Sequence, residues 1–167
     1  AAGGNVAVLV GNMAVTSPQA SLLAANAQLV AQLAAGKLGF LTPGGNTVGG
    51  YLAGAVPKGQ GLTAEQMLAQ GLKAFIVLHA EPEFDADNGQ QAINTLQAAE
   101  FSVALTSYAS AAQAWASVML PIAPYTETSG TFVNAEGRAQ SFRGTVAPLG
   151  ESRPGWKVLR VMGNLFE

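Results

Sequence analysis

The chain has 167 residues, a formal charge of −2 and no cysteine, and only 11% of its residues are charged. With 49% hydrophobic residues it is too apolar to be disordered, and its charge balance excludes a strongly basic nucleic-acid binder. The lack of cysteine excludes disulfides, thiolate zinc sites and iron–sulfur ligation by this chain, and one histidine excludes a multi-histidine metal site.

The first third of the chain predicts two short strands around one helix. An apolar, β-branched run at residues 5–10 predicts a buried strand, which ends in a turn at Gly11. Thr16 or Ser17 ahead of Pro18 predicts a helix N-cap, and leucines then recur at helical spacing up to a C-cap at Gly36. Residues 38–41 predict the second strand.

A Gly-rich stretch at residues 43–61 predicts a long loop of the kind that carries function or a binding surface. After it, Thr63 and Gln66 have the spacing of a capping box and predict the start of a short helix. Residues 73–79 are apolar throughout, which is typical of a central strand in a parallel sheet.

The remaining elements alternate in the same way up to Pro124. The sequence predicts an acidic loop at 81–87, helices at 90–99 and 111–115, and strands at 101–105 and 116–122. Residues 124–150 predict an irregular segment with a hairpin, whose strands at 131–134 and 138–142 flank Gly137. A terminal helix is expected at 153–166, with Trp156, Val158, Leu159 and Met162 as its buried face.

This alternation of strands and helices predicts an α/β fold. Its natural arrangement is a Rossmann-like parallel sheet with helices on both faces, followed by the C-terminal hairpin and the terminal helix. We expect residues 1–167 to form a single domain. Because the chain opens at Ala1 without methionine and closes in an apolar run, we expect it to be a fragment of a longer protein.

Common nucleotide and metal motifs are absent from the sequence. The first strand is not followed by the G-x-G-x-x-G fingerprint, and no Walker A motif occurs. The alternating acids Glu81, Glu83, Asp85 and Asp87 do not fit a calcium-binding EF-hand loop, so a solvated loop is the better interpretation. The sequence contains no nucleophile motif such as G-x-S-x-G that His79 could activate. We therefore expect His79 to lie in the core.

Two polar or glycine-rich clusters allow a functional and a structural interpretation. Glycines around Asn46 either let the backbone approach a ligand or only shape a loop. Later, the charged residues Glu127, Glu136, Arg138 and Arg143 predict ion pairs that hold the hairpin together, with an anionic ligand or a neighbouring domain as the alternative.

Membrane and targeting signals are also lacking. No charged residue precedes Lys37, so the N-terminus has no basic signal-peptide region. The uncharged residues 1–36 are interrupted by polar residues and contain no apolar window of about 20 residues, so we expect no membrane insertion.

Several segments, in order along the chain, resemble the molybdopterin oxidoreductase superfamily. ETSGTFVNAEGRAQ at 127–140 resembles its signature segment, and GGNTVGGYLAGAVP at 44–57 is similar to its Gly/Asn-rich segment. Two further segments resemble a strand of the family together with the segment that follows it. They are WASVMLPIAPYTE at 115–127 and KAFIVLHAEPEFD at 73–85. Residues 129–166 resemble most the C-terminal part of the large iron–sulfur subunit of bacterial proton-pumping NADH:quinone oxidoreductase (respiratory complex I).

The resemblance implies a cofactor cleft and names the residues that would line it. They are Gly45, Asn46, Gly49, Glu81, Thr131, Asn134 and Arg138. Cofactor-binding relatives usually carry a Gly-Glu-Asn turn where this chain has His79-Ala80-Glu81. The resemblance therefore implies a vestigial pocket, no cofactor or metal in this chain, and iron–sulfur clusters in an upstream part of the protein.

Two functions follow from this resemblance. The first is a non-catalytic scaffold domain of the large iron–sulfur subunit of complex I, which packs against other domains of its chain and other subunits on the cytoplasmic side of the inner membrane. The alternative is a part of the molybdopterin cofactor cradle of a formate-dehydrogenase-type oxidoreductase. We also expect the isolated chain to self-associate through surface that is normally covered.

Overall fold

A computed structural model describes residues 5–165. They form two compact units: residues 5–56 with Thr131–Ser141, and residues 57–130 with 142–165. The single domain expected over residues 1–167 stays a prediction, because this division describes compactness and not independent folding.

The first unit is built around a pair of parallel strands. Its elements are β1 (Ala7–Val10), α1 (Asn12–Val15), α2 (Ala20–Leu33), β2 (Lys37–Phe40) and α3 (Thr47–Leu52). In the register, Ala7 lies opposite Lys37 and Val10 opposite Phe40. Helix α2 connects the two strands and packs against both of them, as a βαβ crossover requires.

The predicted start of α2 is wrong by a few residues. The chain turns into α1 directly after β1, and the Thr16 hydroxyl donates back to the Asn12 carbonyl at 2.9 Å. Ser17 accepts from the Gln19 amide at 3.1 Å, but no side chain caps α2. The Pro18 signal therefore marks the connection between two helices rather than a first helical residue.

The end of α2 is a Schellman motif with alanine in the position that usually holds glycine. The Gly36 amide donates to Ala31 at 2.8 Å and the Ala35 amide to Gln32 at 3.1 Å. Ala35 has a φ of +47°. Gly36 serves a different purpose from the predicted cap, because a Cβ there would lie 2.8 Å from the Val6 carbonyl oxygen.

The second unit is a three-stranded parallel sheet with helices. Strands β3 (Ala74–Leu78), β4 (Phe101–Thr106) and β5 (Val118–Pro121) lie in that order. The helices are α4 (Ala64–Gln70), α5 (Pro82–Asp85), α6 (Gly89–Ala98), α7 (Ala109–Ala112) and α8 (Gly155–Gly163). The predicted α/β class with parallel strands and flanking helices is confirmed, although the five parallel strands belong to two sheets.

Local signals predicted α4 well. The Thr63 hydroxyl accepts from the Gln66 amide at 3.3 Å, and the Gln66 side chain accepts from the Thr63 amide at 2.9 Å. This is the predicted capping box. The helix ends at Gly71, whose φ of +63° is the left-handed conformation that glycine adopts without strain.

The central strand of the second unit is β4 and not β3. Residues 102–105 of β4 are buried, whereas Ile76 of β3 is 52% exposed. The prediction from residues 73–79 is wrong because β3 pairs on one side only within the described residues. Two clusters form the core: Phe75, Leu96, Ala104, Ala112 and Trp115, and separately Val103, Leu105 and Ile122.

Helix α8 covers the second of these core clusters. Val158 and Met162 pack against it, as predicted, but Trp156 is 50% exposed and Leu159 is 40% exposed. A parallel bridge between Ile122 and Arg153 brings the chain back to the sheet just before the helix. The helix covers Gly155–Gly163, so it starts later and ends earlier than the predicted range 153–166. Phe166 itself lies outside the described residues.

Two predicted loops contain short helices. Helix α3 occupies the middle of the 43–61 stretch, and α5 occupies the acidic segment after β3. The hairpin consists of β6 (Gly130–Val133) and β7 (Ala139–Phe142), preceded by a 3-10 turn at Tyr125–Glu127. Within the part of the chain that the structure describes, no helix has both the length and the hydropathy needed to cross a membrane.

Candidate cofactor-facing site

The turn between β2 and α3 is held by a threonine hydroxyl. Thr47 Oγ1 accepts from the Gly44 amide and donates to the Gly44 carbonyl, each at 3.1 Å. Thr42 also donates to that carbonyl, at 3.3 Å. These bonds fold the Gly-rich segment back on itself, so that α3 starts within a few residues of the end of β2.

Asn46 connects this turn to the hairpin. Its Oδ1 accepts from the Val133 amide at 2.8 Å instead of capping α3. A Cβ added at Gly49 would collide with Asn46 Oδ1 and would lie 2.7 Å from its Cγ. Gly49 therefore provides the space in which the Asn46 amide lies, and the pair is a structural link between α3 and β6.

Gly45 is under no such constraint. A Cβ there would lie 3.7 Å from Phe132 Cδ2, which is an ordinary van der Waals contact, and the residue is exposed. The backbone at Gly45 is therefore open to a ligand, while the space at Gly49 is already taken by a side chain of the protein itself.

The hairpin residues predicted for the pocket mainly stabilise the hairpin. Thr131 and Ser141 are hydrogen-bonded through their hydroxyls at 2.9 Å. Asn134 Oδ1 accepts from the Glu136 and Arg138 amides at 3.0 and 2.9 Å. The Arg138 side chain is exposed and makes no ion pair among the described residues.

The predicted ion pairs of this region are wrong. Within residues 5–165 the one ion pair joins Lys73 and Glu100, at 3.4 Å. Glu127 uses its carboxylate differently, because Oε2 accepts from the Leu149 amide at 2.9 Å. The arginines thus leave their charge exposed rather than bracing the hairpin.

The structure places six of the seven predicted pocket residues in the first unit and one in the second. Glu81 is the exception: it precedes α5, and its amide donates to Asp85 Oδ2 at 2.8 Å. In the described chain no group of three or more potential metal-ligating side chains lies close enough to hold an ion. The acidic segment is therefore not a metal site built by these residues.

A cavity of about 420 Å³ lies at the carboxyl ends of β1 and β2. Val10 and Phe40 end the two strands at its wall, Ala24 of α2 adds a second wall, and Thr47 and Tyr51 of α3 add a third. Clefts at the carboxyl ends of parallel strands are the usual ligand sites of open α/β sheets, and this volume suits part of an organic cofactor.

None of these cavity residues belongs to the set predicted from the sequence. Val10 and Phe40 have the pattern of ordinary strand residues, and Tyr51 lies in a stretch that was predicted to be a loop. The sequence indicates these residues only through their position, because both apolar strands end where a turn or the Gly-rich segment begins. Helix α3 could not be anticipated because two glycines lie inside it.

His79 follows β3 in the second unit and is not a core histidine. Its backbone has a φ of +50°, its amide donates to the Leu105 carbonyl at 3.0 Å, and its side chain is exposed. Partial burial lowers the pKa of the imidazole below its ordinary value of 6.5, so the ring is neutral at pH 7. No hydrogen bond to the ring occurs among the described residues.

Comparison with known proteins gives a family match and several relatives. The sequence profile of the family described as molybdopterin oxidoreductase matches residues 4–164. A Staphylococcus aureus protein (strain bovine RF122 / ET3-1) provisionally named formate dehydrogenase is 38% identical over 76 residues, 43% of this chain and 8% of its own length. A protein with the same provisional name from Staphylococcus aureus strain USA300 is 37% identical over 76 residues, again 43% of this chain and 8% of its own length.

A third relative is the provisionally named oxidoreductase YjgC of Bacillus subtilis. It is 31% identical over 113 residues, which are 65% of this chain and 12% of that protein. The chain therefore spans about a tenth of the length of the curated relatives it matches. The predicted superfamily is confirmed, and the assignment to the complex I branch stays a prediction.

Proposed function

Because the chain belongs to the molybdopterin oxidoreductase family, we propose that it forms part of the molybdopterin cofactor cradle of a formate-dehydrogenase-type oxidoreductase. The names of the Staphylococcus aureus and Bacillus subtilis relatives support an oxidoreductase of this type. This is the second of the two functions derived from the sequence.

One observation carries the proposal: the cavity at the carboxyl ends of β1 and β2 is lined by the same segment that Asn46 ties to the hairpin. Thr47 and Tyr51 line the cavity, and the open backbone of Gly45 lies in the turn between them and β2. The Thr47 hydroxyl donates its proton to Gly44, so the Tyr51 hydroxyl and backbone amides are the suitable partners for the polar edges of a pterin ring.

These residues fit an organic cofactor as a binding surface. The bound cofactor would supply the redox chemistry, and the role of this chain would be to bind and orient it. The apolar walls formed by Val10 and Phe40 would exclude water from one face of the ligand. Arg138, on the same unit, would offer an exposed guanidinium to phosphate groups.

The test is the molybdenum, tungsten and pterin content of the protein purified at its natural length. We expect stoichiometric pterin in the unaltered protein. Ala24→Leu places extra bulk at the cavity wall and should reduce the pterin content. Ala25→Leu is the matched control, because Ala25 lies on the same helix, is exposed and does not line the cavity.

Absence of pterin from the unaltered protein would overturn the proposal. Full pterin content in Ala24→Leu would instead show that the cofactor is bound somewhere else. Far-ultraviolet circular dichroism of both variants checks that the substitution has left the fold intact, so that a loss of pterin reports on the cavity.

A cofactor-free scaffold is the second candidate function, and a specific observation favours it. Asn46 fills the space at Gly49, and Asn134 is engaged in the hairpin turn, so three of the predicted pocket residues already serve the fold. In that case the chain would resemble the large iron–sulfur subunit of complex I, with other subunits as partners at the cytoplasmic side of the membrane. Protein without pterin but with iron–sulfur clusters would support this function.

A further inference from the structure

Helix α2 buries its small residues and exposes its large ones. Ala31 is buried and Ala24 and Ala27 are partly buried, on the side where α2 contacts β1 and β2. In contrast, Leu29 is 53% exposed and Leu33 is 80% exposed. A surface helix of a soluble protein normally does the reverse, so this outer face has the composition of an interface.

The exposed residues follow a heptad pattern. Leu22, Asn26, Leu29 and Leu33 are separated by four, three and four residues, which is the spacing of d, a, d and a positions. At about 100° per residue they cluster on one side of the helix, roughly opposite the buried alanines. Leu23 and Val30 flank them in e positions and are also exposed. We call these six residues the α2 stripe.

We propose that the α2 stripe is a self-association surface, on which two copies of this chain pack α2 against α2 in a parallel pair. Three features favour a second copy as the occupant: the charge of the segment, the area of the stripe and the position of Asn26.

The charge of the segment permits a symmetric pair. No charged residue occurs before Lys37, so two copies of the stripe meet without like-charge repulsion. Charged e and g positions, which would select a different partner, are absent from α2. A partner recognised by charge would find nothing on this helix to bind.

The area of the stripe is sufficient for a weak pair. Its five apolar side chains expose on the order of 500 Å² per copy, so a pair would bury on the order of 1,000 Å², near the lower limit of specific interfaces. We therefore expect a dimer that forms at micromolar concentrations and dissociates on dilution.

Asn26 sets the orientation of the pair. Its side chain is exposed and makes no hydrogen bond within residues 5–165, and it occupies an a position between Leu22 and Leu29. In a parallel pair the two Asn26 amides face each other and can hydrogen-bond, which is how a buried asparagine at an a position fixes register. In an antiparallel pair each amide would meet leucine instead.

The first experiment is light scattering with size-exclusion chromatography on the 167-residue chain over a wide concentration range. The mass should rise from 17.0 kDa towards twice that value. Leu29→Glu places a charge in the stripe and should raise the dimer dissociation constant by about tenfold or more. Gln28→Glu is the matched control, because Gln28 is exposed on the same helix outside the stripe and should leave the constant unchanged.

Cross-linking tests the orientation in a chain without native cysteine. Under mild oxidation Asn26→Cys should form an intermolecular disulfide, and Gln28→Cys should not. A constant mass of 17.0 kDa at all concentrations would overturn the proposal, as would equal association of Leu29→Glu and Gln28→Glu. Burial of the stripe only within a longer polypeptide, with a monomeric isolated chain, would overturn it as well.

Discussion

The ring of His79 lies against the first residue of α8. A Cβ added at Gly155 would lie 3.6 Å from His79 Nε2 and 3.4 Å from Leu78 Cδ1. The helix therefore begins directly over the end of β3, where a small residue allows this approach. The imidazole is also close to the N-terminal end of the α8 dipole, which disfavours a positive charge.

This contact predicts that acid destabilises the protein through His79. The folded-state pKa is lowered by burial, so between that value and 6.5 the unfolded chain binds more protons than the folded one. Stability should be full above pH 6.5 and fall as the pH drops through this window. Urea unfolding between about pH 5 and 8 measures the slope, and His79→Gln should flatten it. An unchanged slope in His79→Gln would refute the assignment.

A double-mutant cycle tests the link between Asn46 and Gly49. Gly49→Ala alone should destabilise the chain by about 1–2 kcal/mol, because the new Cβ displaces the Asn46 amide from Val133. In the Asn46→Ala background the same change should be neutral or stabilising by up to about 1 kcal/mol, since alanine is the better helix former. Additive effects in denaturant titrations would show that the residues do not interact.

The Schellman motif at the end of α2 offers a stabilising substitution. Ala35 has a φ of +47°, which costs alanine about 1 kcal/mol relative to glycine. Ala35→Gly should therefore raise the free energy of unfolding by about 0.5–1 kcal/mol. Ala25→Gly, in the middle of the same helix, should lower it by about 1 kcal/mol. Thermal melts should therefore show a higher melting temperature for Ala35→Gly and a lower one for Ala25→Gly than for the unaltered chain.

Disruption of the capping box of α4 should lower the free energy of unfolding by a similar amount. Thr63→Ala removes the acceptor for the Gln66 amide and should cost about 1 kcal/mol. Thr63→Ser retains the hydroxyl and should cost much less. If the alanine and serine variants unfold at the same denaturant concentration, the hydroxyl contributes nothing to the stability of the folded chain.

Features that rest on short-range interactions could be predicted from the amino-acid sequence. The capping box joins Thr63 to a residue three positions away, and the hairpin turn joins Asn134 to Arg138 four positions away. Alternation of apolar strands and amphipathic helices likewise predicted the α/β class. The family could be identified from the sequence as well, because its motifs consist of residues that are close together along the chain.

Residues whose partners are distant in sequence have roles that became evident from the folded chain alone. Asn46 bonds to Val133 across 87 positions, and Gly36 is required by the approach of Val6 rather than by the helix end. The face of α2 that packs against the strands could not be predicted either, since both its alanines and its leucines have helical spacing. Which of them is buried depends on how closely the helix approaches the sheet, and that distance is set by packing between elements rather than by local sequence.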